Sequence, residues 1–400
     1  MLSNATTEDS TTRSRAEPLA ASLTGPAREG VPWYVWAVLF ASTSVVLGVL
    51  WDISWHRTIG RDSFWTPAHM AIYLGGAVAG LACGWLVLRT TFAVGAADER
   101  AAGVTFWGFR GPLGAWVCIW GSFAMITSGP FDDWWHNAYG LDVEILSPPH
   151  TVLAAGIIAI QIGAMLMVLS RQNNSGAASP LAQLLFLYAG GMLIVSIATL
   201  ATEYVAFPNM QRNAQFYMVS AGIFPLFLAG TSRASLSRWG GTGVAAVYMG
   251  CTVLMIWVLQ LFSAEALLGP ILRPVDSMVP PSFPLLLVVP ALGIDLLLRT
   301  LPERSSRAQR WMTAGAVGVA FVAVLLAVQW YFSAFLLGEG ARNFFFGADQ
   351  WDYNSLPGTW QHEYWGSTLV PSALAWAALI GFASARVGLW WGDWMRRVQR

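Results

Sequence analysis

Five histidines occur in the 400 residues, and four of them fall in two similar segments. The first is WDISWHRTIGRDSFWTPAH, residues 51–69; the second is FDDWWHNAYGLDVEILSPPH, residues 131–150. Asp52, Trp55, His56, Gly60 and Asp62 align with Asp132, Trp135, His136, Gly140 and Asp142. After a one-residue gap, Pro67 and His69 align with Pro148 and His150. An Asp and a His four residues apart lie one turn apart on one face of a helix. A second His at the start of the next, antiparallel helix returns beside them. Each copy thus offers two imidazoles and a carboxylate: Asp52, His56 and His69, and Asp132, His136 and His150. Imidazole suits copper, iron, zinc or nickel, and two His with one carboxylate and open positions is also a non-haem iron pattern.

The elements that must place these groups are readable too. Pro67 and Pro148 start the second helix of each copy at a fixed position, and Gly60 and Gly140 permit a tight turn before it. A carboxylate at mid-bilayer is unfavourable by roughly 2.5–3.5 kcal/mol, and by less near the interface; a bound cation offsets that cost. An Asp–His pair closing a helix as a hydrogen-bonded cap is the plainer alternative. Two copies that keep Asp, His and His while most neighbours diverge favour metal ligation.

Composition sets these segments in a membrane. Hydrophobic types make up 56% of the chain and charged types 11%, against about 25% charged in a soluble domain. Mean hydropathy is +0.53. The 22 Trp suit a protein anchoring many helix ends at a lipid–water interface. Every basic residue is Arg, and the 22 basic and 22 acidic residues cancel, so nothing points to a nucleic-acid partner. Cys83, Cys118 and Cys251 lie in apolar runs and make no CxxC pattern; they read as packing residues.

The fold class expected is all-α, a polytopic integral membrane protein of about ten transmembrane helices. Apolar runs fall near 34–55, 67–88, 112–132, 148–170, 182–206, 215–234, 242–265, 283–299, 312–337 and 366–390. Residues 1–31 read as a disordered cytoplasmic tail with no cleaved signal peptide. Residues 32–172 form the duplicated helix-hairpin region of four helices, and 173–400 a C-terminal membrane region of about six. If both termini are cytoplasmic, most Arg lie inside, whereas Arg57, Arg61, Arg212, Arg273 and Arg342 lie outside. The expected location is the cell membrane, with both metal clusters toward the outer face. In that topology His362 joins the other four on the outer side.

Other residues are candidates of a second rank. Asp62, Asp133, Asp142 and Glu144 could orient imidazole nitrogens or be solvated loop charges. His362 could complete a site or sit exposed in a loop. Glu203 and Glu265 are acids at the ends of apolar runs, functional by default or snorkelling at the interface. Trp51, Trp55, Trp65, Trp134 and Trp135 could line an apolar substrate pocket or anchor the interface.

The spacings Asp52-x3-His56-x12-His69 and Asp132-x3-His136-x13-His150 resemble the two copper-site motifs, in the same order, of the C subunit of particulate methane and ammonia monooxygenases. The resemblance covers roughly residues 45–160. It implies a copper-dependent membrane monooxygenase, or a subunit of one, oxidising a C–H or N–H bond of a small or apolar substrate with O2. It also implies that Asp52, His56 and His69 form one copper site and Asp132, His136 and His150 the other. The family has Asn where this chain has Asp132. Its C subunit ends soon after the second motif, and it works with a subunit carrying soluble copper-binding domains. The resemblance therefore implies partner oxygenase subunits or a homo-oligomer, and an electron donor that the chain does not identify.

Two other function classes compete with a membrane oxygenase. A haem-b electron carrier would use His from different helices as axial ligands, but has no need of the Asp one turn before. A metal transporter would suit an internal repeat, but calls for polar groups across the membrane rather than at one face.

Overall fold

In a bilayer, backbone N–H and C=O groups must bond within the chain, so long apolar runs become helices. The computed structural model describes residues 30–60, 65–93, 103–140, 147–174, 179–265, 275–302, 305–350 and 369–399. The side chain of Glu203 is outside the description, as are Asp62, Asp142, Glu144, His362 and most of the 1–31 tail.

Among the described residues ten helices of at least 12 residues follow one another. They are α1 (Trp33–Thr58), α2 (Pro67–Phe92), α3 (Leu113–Tyr139), α4 (Pro148–Asn174) and α5 (Pro180–Leu200). The rest are α6 (Ala214–Ala234), α7 (Gly240–Leu259), α8 (Val288–Arg299), α9 (Arg307–Leu337) and α10 (Pro371–Met395). Eight are long and apolar enough to cross a membrane. Of the other two, α3 has the length, 27 residues, but its apolar run is diluted by Gly, Ser, Thr and Trp. A two-stranded hairpin, β1 (Val104–Phe106) and β2 (Phe109–Gly111), joins the region between α2 and α3.

The other is α8, where the sequence suggests a span over 283–299. The helix begins only at Val288 and has 12 residues, too few to cross alone. Pro280, Pro281 and Pro284 hold the chain before it extended, because Pro and the residue preceding it resist helix. That extended stretch is largely buried, so its backbone needs partners from side chains. Ser54 Oγ donates to Val279 O at 2.6 Å, and Val279 N donates to Thr58 Oγ1 at 2.7 Å. Leu285 N donates to the Tyr248 hydroxyl and Leu286 N to Gln329 Oε1, both at 3.1 Å. Further on, buried Asp295 of α8 accepts from Gly241 N, Thr242 N, Thr242 Oγ1 and Ser232 Oγ, tying α8 to the start of α7.

Helix α1 packs on α2 and α3 on α4, with α2 against α3 and α1 against α4. The sequence repeat extends down both hairpins. A Cβ on Gly75 of α2 would come 2.7 Å from Ala41 O of α1, and a Cβ on Gly156 of α4 would come 2.8 Å from Gly121 O of α3. Six residues past the second His of each copy, a glycine lets the backbones touch.

The remaining helices close onto this unit through α4–α5, α5–α7, α6–α10 and α9–α10 contacts. At one end of the bundle Asp393 of α10 pairs with Arg233 of α6 at 2.8 Å and Arg310 of α9 at 3.2 Å. Asn173 of α4 donates to Met395 O at 2.9 Å. Since consecutive helices run antiparallel, both Asp–His–His sets fall at the opposite end.

Candidate metal centres

Each cluster is assembled by a helix end and the helix start that follows it. Asp52 and His56 lie in the last two turns of α1, and Asp132 and His136 in the last two turns of α3. On another face of α1, Ser54 and Thr58 are bonded to Val279, which fixes the end that bears the first cluster. The turns then require glycine: Gly60 has φ +93° and Gly140 φ +87°, a region costly for residues with a Cβ.

The returning helices are capped in the same way. Thr66 Oγ1 accepts from His69 N at 3.2 Å, and Ser147 Oγ accepts from His150 N at 3.4 Å. Proline follows each cap as the first helical residue. The common unit is therefore Ser/Thr-Pro-x-His, in which the hydroxyl holds the backbone of the His itself. Thr66 and Ser147 are further site-building residues, and their signal in the sequence is a shared hydroxyl before each aligned proline.

All six candidate ligands come together as two sets of three. In the first, Asp52 Oδ2 is 3.5 Å from His56 Nε2 and Asp52 Oδ1 is 3.2 Å from His69 Nε2. In the second, Asp132 Oδ1 is 3.3 Å from His136 Nε2 and 3.5 Å from His150 Nε2. Within each set one ligand atom per residue lies within 4.8 Å of the others. Ligands about 2.0–2.2 Å from one ion stand about 3.0–3.5 Å apart, so the spacing fits a single cation per set. Asp52 Oδ1 and Asp132 Oδ1 are both buried and accept no hydrogen bond among the described residues. A buried carboxylate oxygen without a donor is costly, and the same atom is left so in both copies.

The surroundings differ. His136 Nδ1 stands 3.2 Å from Gly140 O, an arrangement in which Nδ1–H donates to the carbonyl and Nε2 keeps its lone pair for a metal. The His56 side chain is 39% exposed and that of His136 18%, whereas His150 at 32% is more exposed than His69 at 24%, so a different histidine meets solvent in each set. Tyr73, one turn beyond His69 on α2, is hydrogen-bonded to Ser128 of α3 and lies in the field of Asp132. Helix α2 thus carries His69 of the first set and lies within electrostatic reach of the second.

Of the second-rank candidates, Asp133 accepts from Asn137 Nδ2 at 3.4 Å rather than holding a cluster imidazole. Glu265 is exposed beyond the end of α7. Trp51 and Trp55 pack on the main core, whereas Trp65 and Trp134 are exposed. A cavity of about 50 Å³ lies between α1, α5, α7 and the extended stretch, lined by Ile53, Arg57, Tyr248 and Phe283 among others. Ile53 and Arg57 sit roughly 100° round α1 from Asp52 and His56, so this cavity faces away from the first cluster.

The chain is thus a polytopic helical membrane protein with two equivalent Asp–His–His clusters able to hold metal. No protein-family model matches it, and neither a curated protein nor a solved structure does.

Proposed function

We propose that the protein is a membrane-bound metalloprotein whose two clusters each hold one redox-active cation, copper with iron as the alternative, and that it serves as a monooxygenase or a monooxygenase subunit. The observation that carries this reading is that in each set a buried carboxylate, one of whose oxygens has no hydrogen-bond donor among the described residues, faces two imidazole nitrogens at 3.2–3.5 Å. Two His and one Asp leave coordination positions open, as an oxygen-activating centre requires. When bound, such a cation supplies one-electron chemistry and a place for O2. Asp52 and Asp132 neutralise its charge, and His136 is oriented by Gly140 O. The motif resemblance supports copper and oxidation of a small or apolar substrate, with reductant and partner subunits supplied from outside the chain.

The arginine-rich end of the bundle carries Arg171, Arg233, Arg238, Arg299, Arg307, Arg310, Arg396 and Arg397. By the positive-inside rule we place that end in the cytoplasm and the clusters at the outer face. Transport is less well supported, because both clusters lie at one end of the bundle. A haem carrier is less well supported too, because a carboxylate occupies the space between the two imidazoles that a porphyrin would need.

The test is metal content. Protein purified in lipid nanodiscs should carry copper or iron, and His56→Ala combined with His136→Ala should remove most of it. Full retention of metal in the double variant would refute the assignment. If the metal is lost and reductant-driven O2 uptake by the parent protein with its partner subunits is absent, the sites stand and the oxygenase reading falls.

A further inference from the structure

Away from these clusters, three sulfur atoms meet inside the duplicated region. Cys83 of α2 and Cys118 of α3 are fully buried, and Met167 of α4 is nearly so. The Cys83 thiol donates toward Met167 Sδ at 4.0 Å, and the Cys118 thiol is close enough to that of Cys83 for the two to interact. Cys118 Sγ also approaches Ile160 O at 3.9 Å.

Glycines make the space in which these sulfurs meet. A Cβ on Gly163 of α4 would come 2.5 Å from Cys118 Sγ, and one on Gly114 of α3 would come 2.7 Å from Met167 Cγ. Three sulfurs bound to one ion at about 2.3 Å in a trigonal plane stand about 4 Å apart. The Cys83–Met167 separation already has that value.

We propose that Cys83, Cys118 and Met167 form a buried site for a soft monovalent d10 cation, Cu(I) in particular. Thiolate and thioether sulfur select Cu(I) over harder ions. Binding releases one proton: Cu(I) and one cysteine thiol give a Cu(I)–thiolate unit and H⁺. That unit is neutral, with the second thiol and the thioether as uncharged donors, so no net charge enters the apolar interior. No oxidation or reduction takes place in this step. Cys83 is 14 residues along α2 from His69, about 21 Å at 1.5 Å per residue. The sulfur site is therefore separate from the Asp–His–His clusters, nearer the arginine-rich end, and does not depend on their function.

The experiment is an anaerobic Cu(I) titration of the full-length protein in nanodiscs against a chromophoric Cu(I) chelator, with X-ray absorption of the loaded sample. The cluster variant His56→Ala/His136→Ala provides the background. It should still take up one equivalent of Cu(I), with sulfur scatterers at about 2.2–2.3 Å. Adding Cys83→Ser and Cys118→Ser should abolish that equivalent. Met167→Leu keeps both thiols and the side-chain volume, guarding against a folding defect, and should weaken Cu(I) binding at least tenfold. Uptake unchanged by these substitutions, or a loaded sample whose copper shows only nitrogen and oxygen neighbours, overturns the proposal. A fully reduced background variant that takes up no Cu(I) overturns it as well.

Discussion

His69 Nε2 lies 3.2 Å from Asp52 Oδ1 although the two residues belong to different, consecutive helices. Asp132 and His150 repeat the relationship at 3.5 Å. Neither pair depends on a single long side chain reaching out. Each is set by where one helix stops and the next starts, and both points are fixed by local chemistry.

The first prediction follows from that independence. Each cluster has its own turn and cap, so His69→Ala should remove one of two bound divalent ions and leave the other. His150→Ala should do the reverse, and the combined variant should bind neither. Elemental analysis per chain, read beside protein concentration, checks the stoichiometry.

Asp52→Asn should change stability in opposite directions with and without metal. In the metal-free protein it removes a buried carboxylate oxygen that lacks a donor, and the melting temperature should rise. In the presence of metal the parent gains about 2.7 kcal/mol at a hundredfold excess over Kd, and the variant should forgo that gain at its first site. Thermal unfolding in nanodiscs with and without added copper tests both signs. A destabilised metal-free variant would count against this account.

Gly140→Ala places a Cβ on a residue with φ +87° and ψ 177°, at a cost of about 1–3 kcal/mol. The same backbone presents the carbonyl that faces His136 Nδ1. Weaker metal binding at the second cluster should therefore accompany the lower melting temperature, with the first cluster unaffected. Metal titration in a His56→Ala background isolates the second cluster.

Thr58→Val keeps the shape of α1 but takes the acceptor from buried Val279 N. A buried donor left without its partner costs about 1–3 kcal/mol. The end of α1 should loosen, lowering affinity at the Asp52 cluster more than at the Asp132 cluster. Amide hydrogen exchange should quicken around residues 278–287. Unchanged exchange there would show that Thr58 does not hold the segment.

The sequence alone determined the helical membrane class, the run of antiparallel crossings and the six clustered residues. Those properties are local: apolar length demands helix, the i and i+4 spacing sets one face, and Gly60, Pro67, Gly140 and Pro148 mark the turns and starts. Only the tertiary structure decided what distant parts of the chain do to them. Helix α1 carries its cluster on a face opposed to the one bonded to Val279, more than 200 positions away. The stretch before α8 stays extended because side chains of three other helices satisfy its backbone, and no local pattern records such donors and acceptors. The sulfurs of Cys83, Cys118 and Met167 look like ordinary packing residues in three apolar runs. Their meeting depends on how closely α2, α3 and α4 approach, and that is set by glycines acting across helices.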